Sequence, residues 1–464
     1  MAIGNGTAEE FILNEFQSLE LKDKRLVKRA KKILISLQKN PTTCFRRLYP
    51  NQSDTRQTYD FFSNRKVTGK AMIEPHYQKT AERARTSDAK YLLMIQDGMR
   101  LNYTSHQAKT EIGRIGKTNQ TDQYGLIQHS VLCITDQNEP LGLLDIDYFH
   151  YDEFDSSSHR HHRPIAEKAT RCWLDAAQRA RKRLGETNKK IVTVADRESD
   201  FFEFLNDLSS ANEFYVIRAK HNRYTGEKHR NRNEKLFDLL AKAPIAGKLT
   251  TTICDANTHE FKDIALNIKI LKDILIPPPN NGKEEKNINA YKAVSLNIVM
   301  AYDQDREWIL LTNLPIDTQE QINEVIFIYK SRWHIEDYHK VEKTGYQVDE
   351  LYLHASKQAI ESALIMAAIS ACRLYWMIYV GRVEDTIQAN KFFEEYEWKA
   401  VYVYLNEPVP QKIPALSEVI YKIARLGGYK PRKNAPPPGI KTMWIGFQKF
   451  SVAATMFLNM SRNT

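Results

Sequence analysis

Cysteine is scarce: only Cys44, Cys133, Cys172, Cys254 and Cys372 occur in 464 residues. The number is odd, the residues are scattered, and none forms a CxxC pair. This usage fits free, mostly buried thiols in a reducing cytoplasm. Internal repeats and low-complexity tracts are lacking as well. The start, Met1-Ala2-Ile3-Gly4-Asn5, has no basic segment followed by an apolar run, so no signal peptide is expected. The most apolar stretch, Ile360 to Val380, is interrupted by Glu361, Ser362, Ser370 and Arg373. A membrane span rarely keeps a glutamate and an arginine, so a buried helix is expected and no membrane partner. A His159-Arg160-His161-His162-Arg163 cluster has no second ligand group at zinc spacing, and its arginines repel a metal. It reads as a basic surface loop.

What is abundant is positive charge, +10 net with a pI near 9.1. That favours a polyanionic partner, nucleic acid first. The length exceeds what one core usually carries and predicts two or three domains.

Lys22 to Gln38 reads as an amphipathic helix with Leu26, Ile33, Leu34 and Leu37 on its apolar stripe. A second helix, Asp54 to Asn64, carries Tyr59, Phe61 and Phe62. The pair is either a small bundle with a solvated basic face or a DNA-binding domain. In the second case Arg25, Lys28 and Arg29 reach phosphates or base edges.

From Ala89 the texture changes. Tyr91 to Asp97 reads as a buried strand with an acid at its carboxyl tip, broken by Gly98. Ile127–Thr135 and Leu141–Tyr148 form a hairpin, Pro164–Gly185 a helix, and Lys190 to Asp196 a second strand ending in an acid. Phe214–Arg218 is a further strand. The alternation predicts an α/β sheet, whose ligands sit at strand carboxyl ends. A strand-end Asp taken alone also serves as a loop cap. Lys220 to Lys235 is dense in base and reads as a solvated loop or a phosphate-tracking one. Lys248–Cys254, Ile264–Leu271 and Tyr291–Tyr302 form a β-rich insertion, and Glu307–Asn313 returns to the sheet with Trp308 at its start. The C-terminal part is helical. Its last helix carries a stripe of Trp444, Phe447, Ser451, Ala454 and Leu458 that either seeks a partner or docks on its own domain.

One stretch, Tyr329 to Lys343, has a helical apolar pattern. Tyr329, Arg332, Trp333, Glu336, Lys340 and Lys343 fall on one face about 100° wide. Phe327, Ile328, Ile335, Tyr338 and Val341 face a core. A lone carboxylate, Glu336, is thus aimed outward among cations and aromatics. The plain reading of such a face is a solvated, salt-bridged surface. The alternative joins Glu336 to Asp97 and Asp196 as a carboxylate triad with room for two divalent ions. Hard oxygen ligands of this kind suit Mg²⁺, with Mn²⁺ able to substitute.

The pattern Tyr329-x2-Arg332-x3-Glu336-x6-Lys343 resembles the Y-R-E-K signature of bacterial DDE transposases of the insertion-sequence-four type, which includes the Tn-five transposase. The resemblance implies an RNase H-like catalytic core with a β-rich insertion, flanked by an N-terminal helical DNA-binding domain and a C-terminal helical dimerisation domain. The corresponding ranges are 1–75, 76–365 with the insertion at about 222–304, and 366–464. It implies that Asp97, Asp196 and Glu336 are catalytic and hold the two ions. Arg332, Lys340 and Lys343 clamp phosphates, Tyr329 touches the DNA backbone, and Trp333 lies on the same side. Trp308, on a Trp-x-Leu-Leu-Thr run, stacks on a flipped base, and the Arg218-x-Lys220-His221 run contacts DNA. The implied activity is cut-and-paste transposition: nicking, hairpin formation and resolution, and strand transfer. The partners are double-stranded transposon-end DNA with inverted repeats, target DNA and a second copy of the chain, in the bacterial cytoplasm and on the nucleoid. Many relatives carry a hydroxyl residue soon after the first Asp, where this chain has Gly98-Met99-Arg100. A metal-dependent endonuclease on the same core, or a silent DNA-binding repressor, are the alternatives. The intact triad argues against the repressor.

Overall fold

The structure is a computed structural model. It describes residues 6–105, 111–154, 165–227, 234–254, 261–278, 291–351, 353, 356–383, 386–431 and 437–462. The His159–Arg163 cluster lies outside these residues, as do Lys228, His229, Arg230 and Arg232 of the basic loop and residues 432–436 of the C-terminal linker.

The β-branched runs assemble one mixed sheet. Its strands are β1 (Tyr91–Asn102), β2 (Gly113–Thr118), β3 (Thr121–Thr135), β4 (Pro140–Phe149), β5 (Lys190–Ala195), β6 (Phe214–Arg218), β7 (Gly247–Cys254), β8 (Phe261–Ile276), β9 (Val294–Tyr302) and β10 (Glu307–Thr312). Their order is β2-β3-β1-β5-β6-β10-β9-β8-β7, with β4 also paired to β3. β3 pairs antiparallel with both β1 and β4, β5 adds parallel to β1, and β6 adds parallel to β5. This is an RNase H-like α/β core. The insertion is not a separate body: β10 pairs with β6 on one side and β9 on the other, so β7–β9 widen the same sheet.

The helices are α1 (Ala8–Glu15), α2 (Lys24–Lys39), α3 (Gln52–Phe62), α4 (Gly69–Thr86), α5 (Arg171–Leu184), α6 (Phe202–Ser210), α7 (Leu236–Lys242), α8 (Gln319–Lys330), α9 (Trp333–Lys340), α10 (Lys357–Val383), α11 (Glu395–Tyr404), α12 (Leu416–Leu426) and α13 (Ile440–Arg462). The helix expected from Pro164 begins only at Arg171, after a separate 3₁₀ turn at Ile165–Glu167.

Three features set the position of the site. First, the N-terminal helices are bolted to the core through a buried carboxylate. Glu15 of α1 accepts from Arg83 of α4 at 2.8 and 3.0 Å, and Arg83 Nε donates to the Leu141 carbonyl of β4. Second, α10 is long and apolar enough to span a membrane by composition, yet 94% of its most apolar window is buried inside the protein. It is the core helix expected. Third, α12 and α13 cross at two glycines: a Cβ on Gly446 would stand 2.0 Å from the Ile423 carbonyl oxygen, and one on Gly427 1.9 Å from that of Thr442. The close crossing buries Met443, Phe447, Phe450 and Ala454. The expected stripe of α13 therefore docks on its own domain. The exposed face is a different one, with Val452, Met456 and Met460 each at least 60% exposed.

Candidate catalytic site and nucleic-acid interface

Asp97 is not at the tip of its strand. β1 runs on to Asn102 because β3 keeps pairing it, with Asp97 opposite Ser130 and Gly98 opposite His129. Glycine here weakens but does not end an extended strand. What ends is the parallel neighbour, since β5 leaves β1 after the Ile95–Val194 pair. Asp97 thus lies just past the carboxyl end of the parallel pair, where an α/β sheet opens a crevice. Asp196 follows β5 directly and caps the turn Arg197–Ser199, accepting from the Glu198 N–H at 2.8 Å. The cap role and a site role coincide in this residue.

The stretch from Tyr329 is not one helix. α8 ends at Lys330, Ser331 and Arg332 form a corner, α9 carries Glu336, and a π-helical turn spans Val341–Tyr346. The single outward face therefore breaks up. Tyr329 is buried at 4% exposure, whereas Phe327, expected in the core, is 45% exposed. Ile328, Ile335, Tyr338 and Val341 are buried as the periodicity requires. Trp333 is 55% exposed, with the Arg332 and Lys340 cations 5.8 and 6.0 Å from its ring centre. Lys340 pairs with Asp337 at 3.1 Å, and Lys343 sits half-buried in the π-turn.

Arg332 is the centre of the acid group. Its Nη1 stands 3.5 Å from Asp97 Oδ2, and its Nη2 pairs with Glu336. Its Nε is buried without a partner among the described residues. Burial above all pushes the Asp97 carboxyl up to about 7; Arg332 opposes this, while Asp196 and Glu336 add to it. The three acids are therefore electrostatic neighbours. Among the described residues, no three His, Cys, Asp or Glu side chains stand close enough to hold one metal ion. The Arg332 guanidinium balances Asp97 and Glu336 instead. The donor chemistry fits Mg²⁺, because all three acids offer hard carboxylate oxygens. Gathering them round an ion requires Arg332 to leave.

The other expected contacts divide. Trp308 is partly buried, its ring set edge-on to Tyr329 with centroids 6.0 Å apart. Arg218 donates to the Glu307 carbonyl at 2.8 Å, and Lys220 and His221 are exposed. The backbone N–H groups of Lys220 and His221 donate to Asp200 Oδ2 at 2.7 and 3.0 Å, and Arg223 pairs with the same carboxylate. Asp200, not singled out in the sequence, ties this loop to the turn after Asp196. Its only signal was its place four residues beyond that acid. Arg25 is exposed beside Asp23, and Lys28 is exposed. Arg29 pairs with Asp54 of α3 at 3.0 Å.

Both flanks of this core match known families. Residues 8–67 match the model described as transposase DNA-binding, and residues 369–462 that described as the Transposase Tn5 dimerisation domain. By both ends, the chain is a Tn5-like transposase. The DNA-binding and dimerisation regions support DNA as a partner and a dimeric assembly. Its first matched region contains α1–α3 with their exposed bases. The second begins within α10 and includes α11–α13.

Proposed function

We propose that the transposase belongs to the insertion-sequence-four type and moves DNA by cut-and-paste phosphoryl transfer. Asp97, Asp196 and Glu336 are its catalytic acids and would hold two Mg²⁺ ions, or Mn²⁺ in their place. The observation that carries this reading is the placement of Asp97 and Glu336 on one largely buried guanidinium, Arg332, with Asp196 near enough to help push the Asp97 carboxyl up. A carboxyl raised by burial and by neighbouring acids in a crevice is a candidate site group. When bound, the ions would supply Lewis-acid polarisation of the scissile phosphate.

The chain's own groups do the rest. Arg332, Lys340 and Lys343 hold backbone phosphates of the transposon end, with Tyr329 and Trp333 beside them. Arg218, Lys220 and His221 follow the backbone further along, and Trp308 receives an unstacked base. Arg25 and Lys28 reach end DNA from the N-terminal domain. In this scheme the freed 3′-hydroxyl forms a hairpin, which is reopened and joined to target DNA. The domain limits 1–75, 76–365 and 366–464, and a cytoplasmic, nucleoid-bound location, belong to the same reading.

The test is incubation of the protein with linear DNA carrying the inverted repeats that flank its gene, with Mg²⁺. Paired end cleavage with joining is expected. Asp97→Ala, Asp196→Ala and Glu336→Ala should each abolish cleavage and keep end binding. Indiscriminate cutting would indicate a nuclease, and a mobility shift without cleavage a binding protein. Nicking by any one variant would remove that acid from the site.

A further inference from the structure

Behind the acids lies a second carboxyl that the reaction does not use. Glu342, in the π-turn, is fully buried. Its Oε2 accepts from the Gln128 amide at 2.8 Å, and the same amide nitrogen donates to Ser130 Oγ at 3.0 Å. Ser130 is the residue opposite Asp97 across β1 and β3. Among the described residues, Glu342 Oε1 and Gln128 Oε1 are both buried with no hydrogen-bond partner in place, while the Tyr338 phenol lies close enough to Glu342 to pull its carboxyl down. A buried acceptor left unpaired is costly, and two in one acid–amide contact have a common remedy. A proton on Glu342 Oε1 would turn that acceptor into a donor, and given to Gln128 Oε1 it would close a cyclic pair with two hydrogen bonds.

We propose that Glu342 is a positioning residue, a neutral carboxylic acid paired with Gln128 that braces the strand behind Asp97 against the π-turn carrying Lys343. π-turns are rare and concentrate at functional sites. This one holds Lys343 next to the brace and Glu336 on the helix before it. A neutral acid also avoids a further negative charge behind three carboxylates.

The groups that face Glu342 are consistent with the proton. Burial is the main influence and pushes its carboxyl up to about 8; Gln128, Tyr338 and Lys343 pull the other way, and Asp349 adds to the rise. Tyr148 of β4 and Cys372 of α10 also face it, with their own ionisation suppressed by burial. The Tyr338 phenol beside it donates to the Ala368 carbonyl at 3.3 Å.

The catalytic consequence rests on the transposase reading of Asp97 and Lys343; the acid–amide pair does not. Two measurements therefore separate them. The first is unfolding from pH 5 to pH 9 for the wild type and E342Q. A carboxyl raised in the folded state contributes stability that is full below its unfolded value of 4.5 and is lost as pH rises through about 8. E342Q cannot lose a proton. The ratio of the two unfolding constants should change by up to about tenfold per pH unit across that window and level off above it. A flat ratio would mean an ionised Glu342 and end the proposal.

The second measurement is the nicking rate on end DNA against end-binding affinity. Glu342→Met should slow nicking and keep binding, and E342Q should rescue the rate. Equal loss in both variants, or no loss in either, would overturn the positioning role. If Glu342→Met does not fold, Gln128→Leu breaks the pair from the other side with the same expectation. A wild type that nicks no DNA would sink the transposase mechanism, while the pH comparison still decides the pair.

Discussion

The Arg332 guanidinium lies 3.5 Å from the Asp97 carboxylate and pairs at the same time with Glu336, one helical turn along. It is only 12% exposed, so its charge is held among the acids and away from solvent. In the proposed reading, a cation of the protein's own thus occupies the place that a divalent ion would need. The residue best suited to grip a phosphate bidentately is also the one that must leave the acids before they can gather. If Arg332 grips a phosphate as proposed, DNA binding and metal binding would be coupled through one side chain.

Arg332→Ala should accordingly raise the affinity of the DNA-free protein for Mn²⁺ or Mg²⁺. Coupling energies of this type are typically 1–3 kcal/mol, so a gain of about 5- to 150-fold is expected. Calorimetry or the paramagnetic signal of free Mn²⁺ would read it without any cleavage. The same variant should bind end DNA more weakly, with a salt slope lower by roughly one contact. Unchanged or weaker metal binding would make Arg332 a scaffold residue and remove the coupling.

The bolt between the N-terminal helices and the core should be sensitive in another way. Glu15 is 1% exposed and contacts Arg83 at 2.8 Å and His76 Nδ1 at 2.6 Å. The Leu143 N–H donates to His76 Nε2, so that nitrogen is the acceptor and Nδ1 carries the proton given to Glu15. Burial alone would raise the Glu15 carboxyl, but Arg83 and His76 outweigh it and hold it at about 2. Its contribution is therefore present above the ordinary value of 4.5 and is lost as pH falls through about 2. Glu15→Gln leaves Arg83 buried and uncompensated, which costs about 3–5 kcal/mol. Denaturant unfolding at pH 7 should show that loss, and the variant should lack the acid-limb drop. A loss under about 1 kcal/mol would mean that water or a shifted side chain takes over the pairing.

How much of this was legible in the sequence differs from residue to residue. Strand runs and their acids were legible because β-branched runs and carboxylates at their ends are local signals. The extent of β1 past Asp97 was not, because it depends on β3, whose residues pair with it through Asn102. The helical period from Phe327 to Val341 was right for Ile328, Ile335, Tyr338 and Val341. It failed at Phe327 and Tyr329 because a corner at Ser331–Arg332 resets the angle, and no Gly or Pro marks that corner. Arg29 looked like its basic neighbours until α3 brought Asp54 against it. Glu342 looked like one more charge in a charged segment. Only the packing of β3 against the π-turn shows that it is buried.

The exposed face of α13 offers a sharper probe of dimerisation than removing the helix. Phe447 and Phe450 are core residues, so deleting 440–464 would strip the domain's own packing. Met456 is 60% exposed on a helix inside the matched dimerisation region. Met456→Glu should leave the protomer folded and able to bind one DNA end. If this face is central to the dimer, the change should weaken pairing by at least about 2 kcal/mol, roughly thirtyfold. Light scattering of the protein with end DNA would separate single-end from paired complexes. Paired complexes at wild-type concentration would assign the interface to another surface.

Trp308 is the residue for which a structural and a functional role are hardest to separate by inspection, and kinetics can do it. Its ring packs edge-on against the buried Tyr329, which fixes the indole at the edge of the core. A hairpin joins two strands across the width of a duplex, so the end must bend sharply. Unstacking one base relieves the bend at a cost of a few kcal/mol. An indole face that receives the base returns about 1–3 kcal/mol. Trp308→Ala should therefore spare the first nick and slow hairpin formation by roughly 5- to 150-fold, at about 1.4 kcal/mol per tenfold. An abasic nucleotide at the flipped position should recover part of that loss, because no base then has to leave the stack. Rates of nick and hairpin on end-labelled DNA, with and without the abasic site, give the answer. Equal slowing of both steps, with no rescue, would mean that Trp308 serves only to hold Tyr329 and the sheet in place.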